Sequence, residues 1–195
     1  LEETPTAGVQ DDNGRKDYIL RLNYTTPNGK FNYIPAVGFG TDNTFGTGDE
    51  KTLLFDNWLT LNATKSTTLA GEYIYQRNSD SGGGFNVNQN GYGAYLRQQL
   101  TSKTAGALRY SLINSSNSST RGMGVAPNFT AAGTNIKYQA YEVTAMYEYK
   151  LAAPLTARLE YRHDNTNNVA AFPFGTTGSP KTSQDTLTLA WLYNF

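Results

Sequence analysis

The chain ends in a segment, Thr186–Phe195, in which apolar and polar residues alternate. Successive side chains of a β-strand point to opposite faces, so this alternation predicts a strand with one apolar face. In water such an exposed apolar strand would promote aggregation. An apolar face that ends in aromatic residues instead suits lipid hydrocarbon with an interfacial girdle. The apolar face would carry Leu187, Leu189, Trp191, Tyr193 and Phe195.

The same alternation recurs along the chain, and turn residues separate the alternating segments. Most segments have about the ~9–11 residues that a tilted strand needs to cross a bilayer. No apolar run approaches the ~18 residues of a membrane-spanning helix. The nine predicted strands are Asp17–Thr25, Lys30–Gly40, Thr52–Ala63, Thr67–Arg77, Gly91–Thr101, Ala105–Asn114, Gln139–Leu151, Leu155–Asp164 and Thr186–Phe195.

Short and long connections alternate between these strands. The short turns lie at 26–29, 64–66, 102–104 and 152–154, and the long connections are Thr41–Lys51, Asn78–Asn90, Ser115–Tyr138 and Asn165–Asp185. Short periplasmic turns and long extracellular loops are typical of outer-membrane barrels. We therefore expect an all-β, antiparallel up-and-down transmembrane β-barrel over residues 17–195, in the bacterial outer membrane. Residues 1–16 would form an extracellular or irregular amino-terminal segment.

In an antiparallel sheet of nine strands, the first and last strands run in the same direction. The amino terminus would then lie outside the cell. Bacterial single-chain barrels usually have an even number of strands. An open sheet in lipid would leave edge backbone groups unpaired, at several kcal/mol each. We expect this chain to be the carboxy-terminal part of a larger barrel. The alternatives are an unrecognised strand within residues 1–16, or a homo-oligomer in which several chains complete one barrel.

The balance of charges limits which classes of partner the chain is expected to bind. Lys plus Arg and Asp plus Glu number 16 each, so no overall field attracts nucleic acid. There is no Cys, and no cluster of His, Cys or carboxylate residues has metal-ligand spacing. We expect neither a metal nor a cofactor.

One face of the predicted sheet carries charges of both signs. These residues would form a polar wall that sets solute selectivity in a water-filled pore. Alternatively, cross-strand ion pairs would fill the interior of a small barrel. The mixed signs predict weak ion selectivity. The predicted pore-lining residues are Arg21, Asp56, Glu72, Arg97, Arg109, Glu142, Glu148, Arg158, Glu160 and Arg162.

The opposite face would contact membrane lipids. Its aromatic residues gather toward strand ends, as interfacial anchors do. Five apolar residues break the alternation and fall on the predicted lumen side: Ile19, Trp58, Ile74, Met146 and Leu192. The predicted lipid-facing aromatic girdle is Tyr18, Tyr24, Tyr73, Tyr75, Tyr147, Tyr149, Tyr161, Trp191, Tyr193 and Phe195.

The single histidine, His163, is followed by Asp164. Alternation sends His163 to the lipid side and Asp164 to the lumen side, whereas a Ser-His-Asp hydrolase needs all three side chains to converge. No catalytic residue is predicted.

The carboxy-terminal part of the chain resembles the end of the OmpL-like family of beta-barrel porins. The resemblance rests on Leu159–Asp164, on Phe172-Pro173-Phe174 and on Ser183–Phe195, within about the last forty residues. It implies an outer-membrane pore and carries over no catalytic residues. The aromatic residues at the carboxy terminus also resemble the signal that barrel-assembly machinery reads, so that machinery is an expected partner.

These observations favour a porin that gives passive passage to small hydrophilic solutes or ions. Three other functions stay open: a β-barrel sleeve for a partner such as a multihaem cytochrome, an outer-membrane enzyme, and a water-soluble β-barrel that binds an apolar ligand. The sleeve would bind no haem covalently itself, because the chain has no Cys. The long connection Ser115–Tyr138 contains Met123, Val125, Phe129 and Ile136, and we expect it to fold into the lumen as a constriction or to pack on neighbouring loops.

Overall fold

The computed structural model describes residues 16–44, 48–80, 86–118, 136–167, 174–176 and 179–193. These residues form twelve strands. The strands are β1 Tyr18–Arg21, β2 Tyr24–Thr25, β3 Phe31–Thr44, β4 Gly48–Asn62, β5 Thr67–Asp80, β6 Asn86–Gln99, β7 Thr104–Ser118, β8 Ile136–Lys150, β9 Leu155–Thr166, β10 Phe174–Thr176, β11 Ser179–Lys181 and β12 Ser183–Tyr193.

The strands form one antiparallel sheet in the order β1-β3-β4-β5-β6-β7-β8-β9-β12, so that neighbours in the sheet follow one another along the chain. β2 also pairs with β3, and β10 pairs with β11 as a separate hairpin. This up-and-down order confirms the predicted all-β, antiparallel architecture. Within the described ranges, no ladder joins the β1–β2 edge to β12.

Across the described residues, no helix is long and apolar enough to span a lipid bilayer.

The first predicted strand, Asp17–Thr25, is interrupted. β1 and β2 lie along the same edge of β3, separated by Leu22 and Asn23. The Leu22 amide still donates to the Pro35 carbonyl, at 3.0 Å. Proline has no amide hydrogen to return the bond, so the ladder breaks opposite Pro35.

The strands extend well beyond the predicted ends at the side of the long connections. β3 and β4 stay paired to Thr44 and Gly48, so the predicted long connection Thr41–Lys51 is wrong. The connection Asn78–Asn90 likewise contains the ends of β5 and β6, and Asn165–Asp185 contains the β10–β11 hairpin. The ladder continues because its hydrogen bonds join backbone groups and need no apolar side chains. The centre of the Ser115–Tyr138 connection, residues 119–135, lies outside the described residues.

The short turns appear as predicted, and local hydrogen bonds fix them. Gly29 has a φ of 65°, which glycine adopts without strain, and its amide donates to the Thr26 carbonyl at 2.8 Å. The Thr101 hydroxyl accepts from the Lys103 and Thr104 amides, both at 3.1 Å. We call this side of the sheet the turn end.

The register separates an apolar face from a polar face. Cross-strand pairs such as Leu61↔Leu69, Leu69↔Leu96 and Leu159↔Leu189 stack apolar residues on one face, which we call the apolar face. Ile19 is the one large apolar side chain exposed in the described strands that lies on the other face.

Burial shows which way the sheet curves. On the polar face Gln89 and Thr144 are each 2% exposed and Asp164 is 6% exposed, although no second layer covers them in the described structure. On the apolar face Leu187 is 71% exposed. Side chains crowd one another on a concave face and spread apart on a convex one. The polar face is therefore the concave face.

Candidate functional site

The polar face carries all ten residues predicted to line a pore. Ala36 on β3 lies opposite Arg21 on one side and opposite Asp56 on the other, so all three share a face. Glu148 lies directly opposite Arg158. Glu72, Arg97, Arg109, Glu142, Glu160 and Arg162 fall on the same side of β5 to β9. The register therefore places these ten side chains on one face, and their role in lining a pore stays a prediction.

The first cluster of charges on this face joins β7, β8 and β9. The Arg109 guanidinium donates two hydrogen bonds to one Glu142 oxygen, the bond from Nε at 2.7 Å. Arg162 reaches the other Glu142 oxygen at 3.4 Å and binds Asp164 through two nitrogens at 2.7–2.9 Å. The Thr144 hydroxyl adds a third donor to Glu142, at 2.6 Å.

The second cluster lies nearer the turn end. Glu148 accepts from Arg158 at 2.7 and 3.0 Å, and its other oxygen accepts from Arg97 at 3.0 Å. One carboxylate thus lies between two guanidinium groups, from β6 and from β9. This geometry leaves a local excess of positive charge.

The ion pairs combine pairing with contact to water. The guanidinium side chains of Arg97, Arg109, Arg158 and Arg162 are 33–52% exposed, whereas Glu142 and Glu148 are 15% and 16% exposed. Exposed ion pairs contribute only about 0.2–1 kcal/mol each to stability. The charged residues therefore form cross-strand ion pairs, and their guanidinium groups still present hydrogen-bond donors to the concave side.

Acidic residues occupy the other half of the polar face, on β4 and β5. Glu72 accepts a hydrogen bond from the Tyr95 hydroxyl at 2.9 Å. Asp56 has one buried carboxylate oxygen, Oδ1, without a hydrogen-bond partner among the described residues. On β6 to β9 four arginines share the polar face with four carboxylates, so both signs are mixed there. These residues are Arg97, Arg109, Arg158, Arg162, Glu142, Glu148, Glu160 and Asp164.

Sequence analysis missed several members of this face. Thr144 completes the first cluster and Tyr95 binds Glu72, but neither is among the predicted pore-lining residues. Asp164, which the alternation sends to the lumen side, joins the first cluster through Arg162. Trp58 was noticed only as an exception to the alternation. Its ring packs against Tyr95, with the ring centroids 5.0 Å apart. Trp58 and Tyr95 are aromatic residues on an otherwise charged face, and this contrast is the signal in the sequence that could single them out.

Nine of the ten residues of the predicted aromatic girdle lie on the apolar face of the described strands, and their contact with lipid stays a prediction. Tyr24, Tyr147, Tyr149, Trp191 and Tyr193 lie near the turn end, and all five are exposed. Tyr18, Tyr73, Tyr75 and Tyr161 lie on the same face farther from the turns, whereas Phe195 lies outside the described residues.

The height of the apolar band can be read along β8. Tyr141 and Tyr149 share the apolar face and stand eight residues apart, roughly 26 Å at ~3.3 Å per residue. With the 35–45° tilt of barrel strands, that distance corresponds to about 20 Å along the membrane normal, close to the ~25 Å apolar band of such barrels.

His163 lies on the apolar face, as its position in the alternation predicts. Its Nδ1 is 2.9 Å from an Asp185 oxygen, and the Tyr161 hydroxyl donates to the same oxygen at 2.7 Å. Asp164 points to the opposite face, where it binds Arg162. The neighbours His163 and Asp164 therefore do not meet. Among the described residues, no group of three or more His, Cys, Asp or Glu side chains could hold a metal ion.

An antiparallel sheet with an exposed, aromatic-bordered convex face and a charged concave face defines the wall of a membrane β-barrel. A water-soluble barrel with its aromatic side turned inward does not fit this arrangement, because the aromatic face is convex and exposed.

Solved structures of outer-membrane proteins share this fold. The outer-membrane expressed OmpT of Vibrio cholerae is 14% identical, with a TM-score of 0.63 over 91% of this chain and 56% of its own. Its loop-deletion mutant OmpTdeltaL8 gives 0.64 at 13% identity, over 94% of this chain and 56% of its own. The NanC porin gives 0.51 at 12% identity, over 92% of this chain and 93% of its own. At these identities the likeness shows the fold alone, and this chain spans 56% of the length of OmpT.

The family is established by the sequence. The family described as "Putative beta-barrel porin-2, OmpL-like" matches residues 4–195, so the match extends well beyond the last forty residues, which carry the resemblance described above. The chain belongs to this family, which places it in the bacterial outer membrane. A search of curated proteins finds no match.

Proposed function

We propose that this chain forms part of the wall of an outer-membrane pore that gives passive passage to small hydrophilic solutes and ions. The observation that carries the proposal is the contrast between two faces of the same strands. Leu189 is 63% exposed on the convex face, while the concave face is lined with partly exposed arginine and glutamate side chains. Lipid hydrocarbon on one side and water on the other would satisfy both faces.

Further strands would close the barrel. β1 and β12 run in the same direction, because they are the first and the last of nine consecutive antiparallel strands when β1 and β2 count as one. An antiparallel closure therefore needs an odd number of additional strands. An oligomer with one membrane orientation would instead bring β12 of one copy parallel to β1 of the next. We propose that other strands of the same barrel supply the missing partners.

Catalysis has little support in this site. The His163–Asp185 pair, which a hydrolase would need beside water and a nucleophile, lies on the apolar face. The proposed role is therefore passage of solutes rather than their conversion. Charges of both signs on the concave face favour weak ion selectivity.

Planar-bilayer recording tests this proposal. The full-length protein should insert into a lipid bilayer and give stepwise, ohmic currents in concentrated KCl, with cation and anion permeabilities of similar size. Insertion without current would contradict the open pore and favour a sleeve that another protein fills.

A further inference from the structure

A cavity of about 270 Å³ opens on the polar face between β4 and β8. Apolar atoms make up most of its surface, which sets it apart from the ion-paired wall around it. Two arginine side chains are its only cationic lining among the described residues. The lining residues that matter here are Trp58, Tyr95, Arg97, Ala107, Arg109 and Met146.

Gly93 makes room for the Tyr95 ring, which forms one wall of this cavity. A Cβ atom at Gly93 would lie 2.9 Å from Cε2 of Tyr95 and 3.0 Å from its hydroxyl oxygen, so the Tyr95 ring lies directly over the glycine. In this position the ring reaches Glu72 and packs against Trp58 at an interplanar angle of 52°. The space beside the ring is bordered by the small side chains of Ala70 and Ala107.

The size and surface of the cavity select a small ring. Pockets for drug-sized ligands occupy roughly 300–1,000 Å³, so this cavity suits a smaller molecule with one ring. Aromatic rings pack favourably in stacked or tilted pairs, and Trp58 and Tyr95 already form such a surface. A polyol would lose water from its hydroxyl groups against apolar walls without recovering hydrogen bonds.

The charges beside the cavity select an anionic group. A guanidinium has five N–H donors in a planar fork that matches a carboxylate. Arg97 uses Nη2 for Glu148 and Nη1 for Gln99, and its side chain remains 52% exposed. Glu72 borders the other side of Tyr95 and would repel an anion there. The carboxylate would therefore point to Arg97 and the ring to Trp58.

We propose that this cavity is a binding subsite for small aromatic carboxylates within the pore. The subsite rests on the proposed function, since the solute would reach it through the lumen. Such a subsite would give the pore a preference for small aromatic carboxylates, beyond the weak ion selectivity expected from its mixed charges.

Tryptophan fluorescence tests the subsite. This chain has two tryptophans, and Trp191→Phe removes the one outside the cavity. In the full-length protein folded in detergent micelles, the emission change that Trp191→Phe keeps and Trp58→Phe loses reports on Trp58. Titration with sodium benzoate should change its emission saturably. Cyclohexanecarboxylate, which has the charge without the flat ring, and phenol, which has the ring without the charge, should each bind at least about tenfold more weakly. The Trp58→Phe protein, which keeps Trp191, should show no saturable change.

Substitutions locate the binding. Arg97→Gln removes the proposed carboxylate contact, and Gly93→Ala pushes the Tyr95 ring from its place. Both should weaken benzoate binding by about tenfold or more. Lys103→Gln makes the same charge change in an exposed turn and should leave binding unchanged. Unchanged binding in Arg97→Gln, or equal affinity for cyclohexanecarboxylate and benzoate, would overturn the subsite whether or not Gly93→Ala folds.

Bilayer recording separates this inference from the proposed function. Benzoate should lower the KCl current reversibly, and this effect should be lost in Arg97→Gln. A KCl current without benzoate binding would contradict the subsite and support the pore. Saturable benzoate binding in a protein that passes no current would support the subsite and contradict the open pore.

Discussion

A pair of neighbouring substitutions in β12 distinguishes lipid from water on the two faces. Leu189 and Thr188 are both exposed, so surface exposure alone predicts the same tolerance for an arginine at either position. Leu189 lies opposite Leu159 on the apolar face, whereas Thr188 lies opposite Glu160 on the polar face. Leu189 is also central in β12, six residues after Ser183 and four before Tyr193.

The expected cost follows from this placement. An arginine on the lipid face of a barrel costs about 2–4 kcal/mol near the bilayer midplane and about 0–1 kcal/mol near the interfaces. Leu189→Arg should therefore lower the free energy of unfolding by about 2–4 kcal/mol, which is about a 30- to 900-fold change in the folding equilibrium. Thr188→Arg adds a cation opposite Glu160 in water and should stay within about 0.5 kcal/mol of the parent.

Urea unfolding of the protein in phosphatidylcholine vesicles, followed by tryptophan fluorescence, measures both values. The parent protein and Thr188→Arg serve as the matched controls. Equal free energies of unfolding for Leu189→Arg and Thr188→Arg would refute the assignment of the apolar face to lipid.

Three further predictions concern the sheet edge and the charged face. Pro35→Ala supplies an amide hydrogen that can donate to the Leu22 carbonyl, so the new amide at position 35 should be protected from hydrogen exchange; free exchange of this amide would show that the proline does not cause the break. A double-mutant cycle with Arg109→Gln and Glu142→Gln should give a coupling free energy of about 0.2–1 kcal/mol, because the Arg109 side chain is 38% exposed, and a value near zero would contradict the ion pair. Under a KCl gradient, Glu142→Gln should shift the reversal potential toward anion selectivity and Arg109→Gln toward cation selectivity; shifts of the same sign would contradict their placement on the pore wall.

Alternation made the membrane part of the fold predictable. In β9, Leu155, Leu159 and Tyr161 occupy one face while Arg158 and Arg162 occupy the other, and the register confirms this separation. The strand ends beyond the apolar band were not predictable in the same way. Thr41 to Thr44 and Gly48 to Lys51 pair through their backbones, and their polar side chains carry no alternation that would mark a strand.

The partners within the charged face were not predictable from one sequence. Arg109 and Glu142 meet because β7 and β8 pair in one register, and nothing in either strand alone states that register. The contact between His163 and Asp185 likewise depends on how β12 pairs with β9. Trp58 is visible as a break in alternation, but its contact with Tyr95 reaches from β4 across β5 to β6 and depends on the register of all three strands.

Site-directed spin labelling measures most directly which solvent touches each face. Labels at Leu159 and Leu189 should be accessible to dissolved oxygen, which concentrates in the bilayer, and shielded from a water-soluble nickel chelate. A label at Arg158, one residue from Leu159 and on the concave face, should show the opposite accessibility. If the labels at Leu159 and Leu189 meet the chelate while the one at Arg158 meets oxygen, the sheet faces the other way and the pore assignment fails.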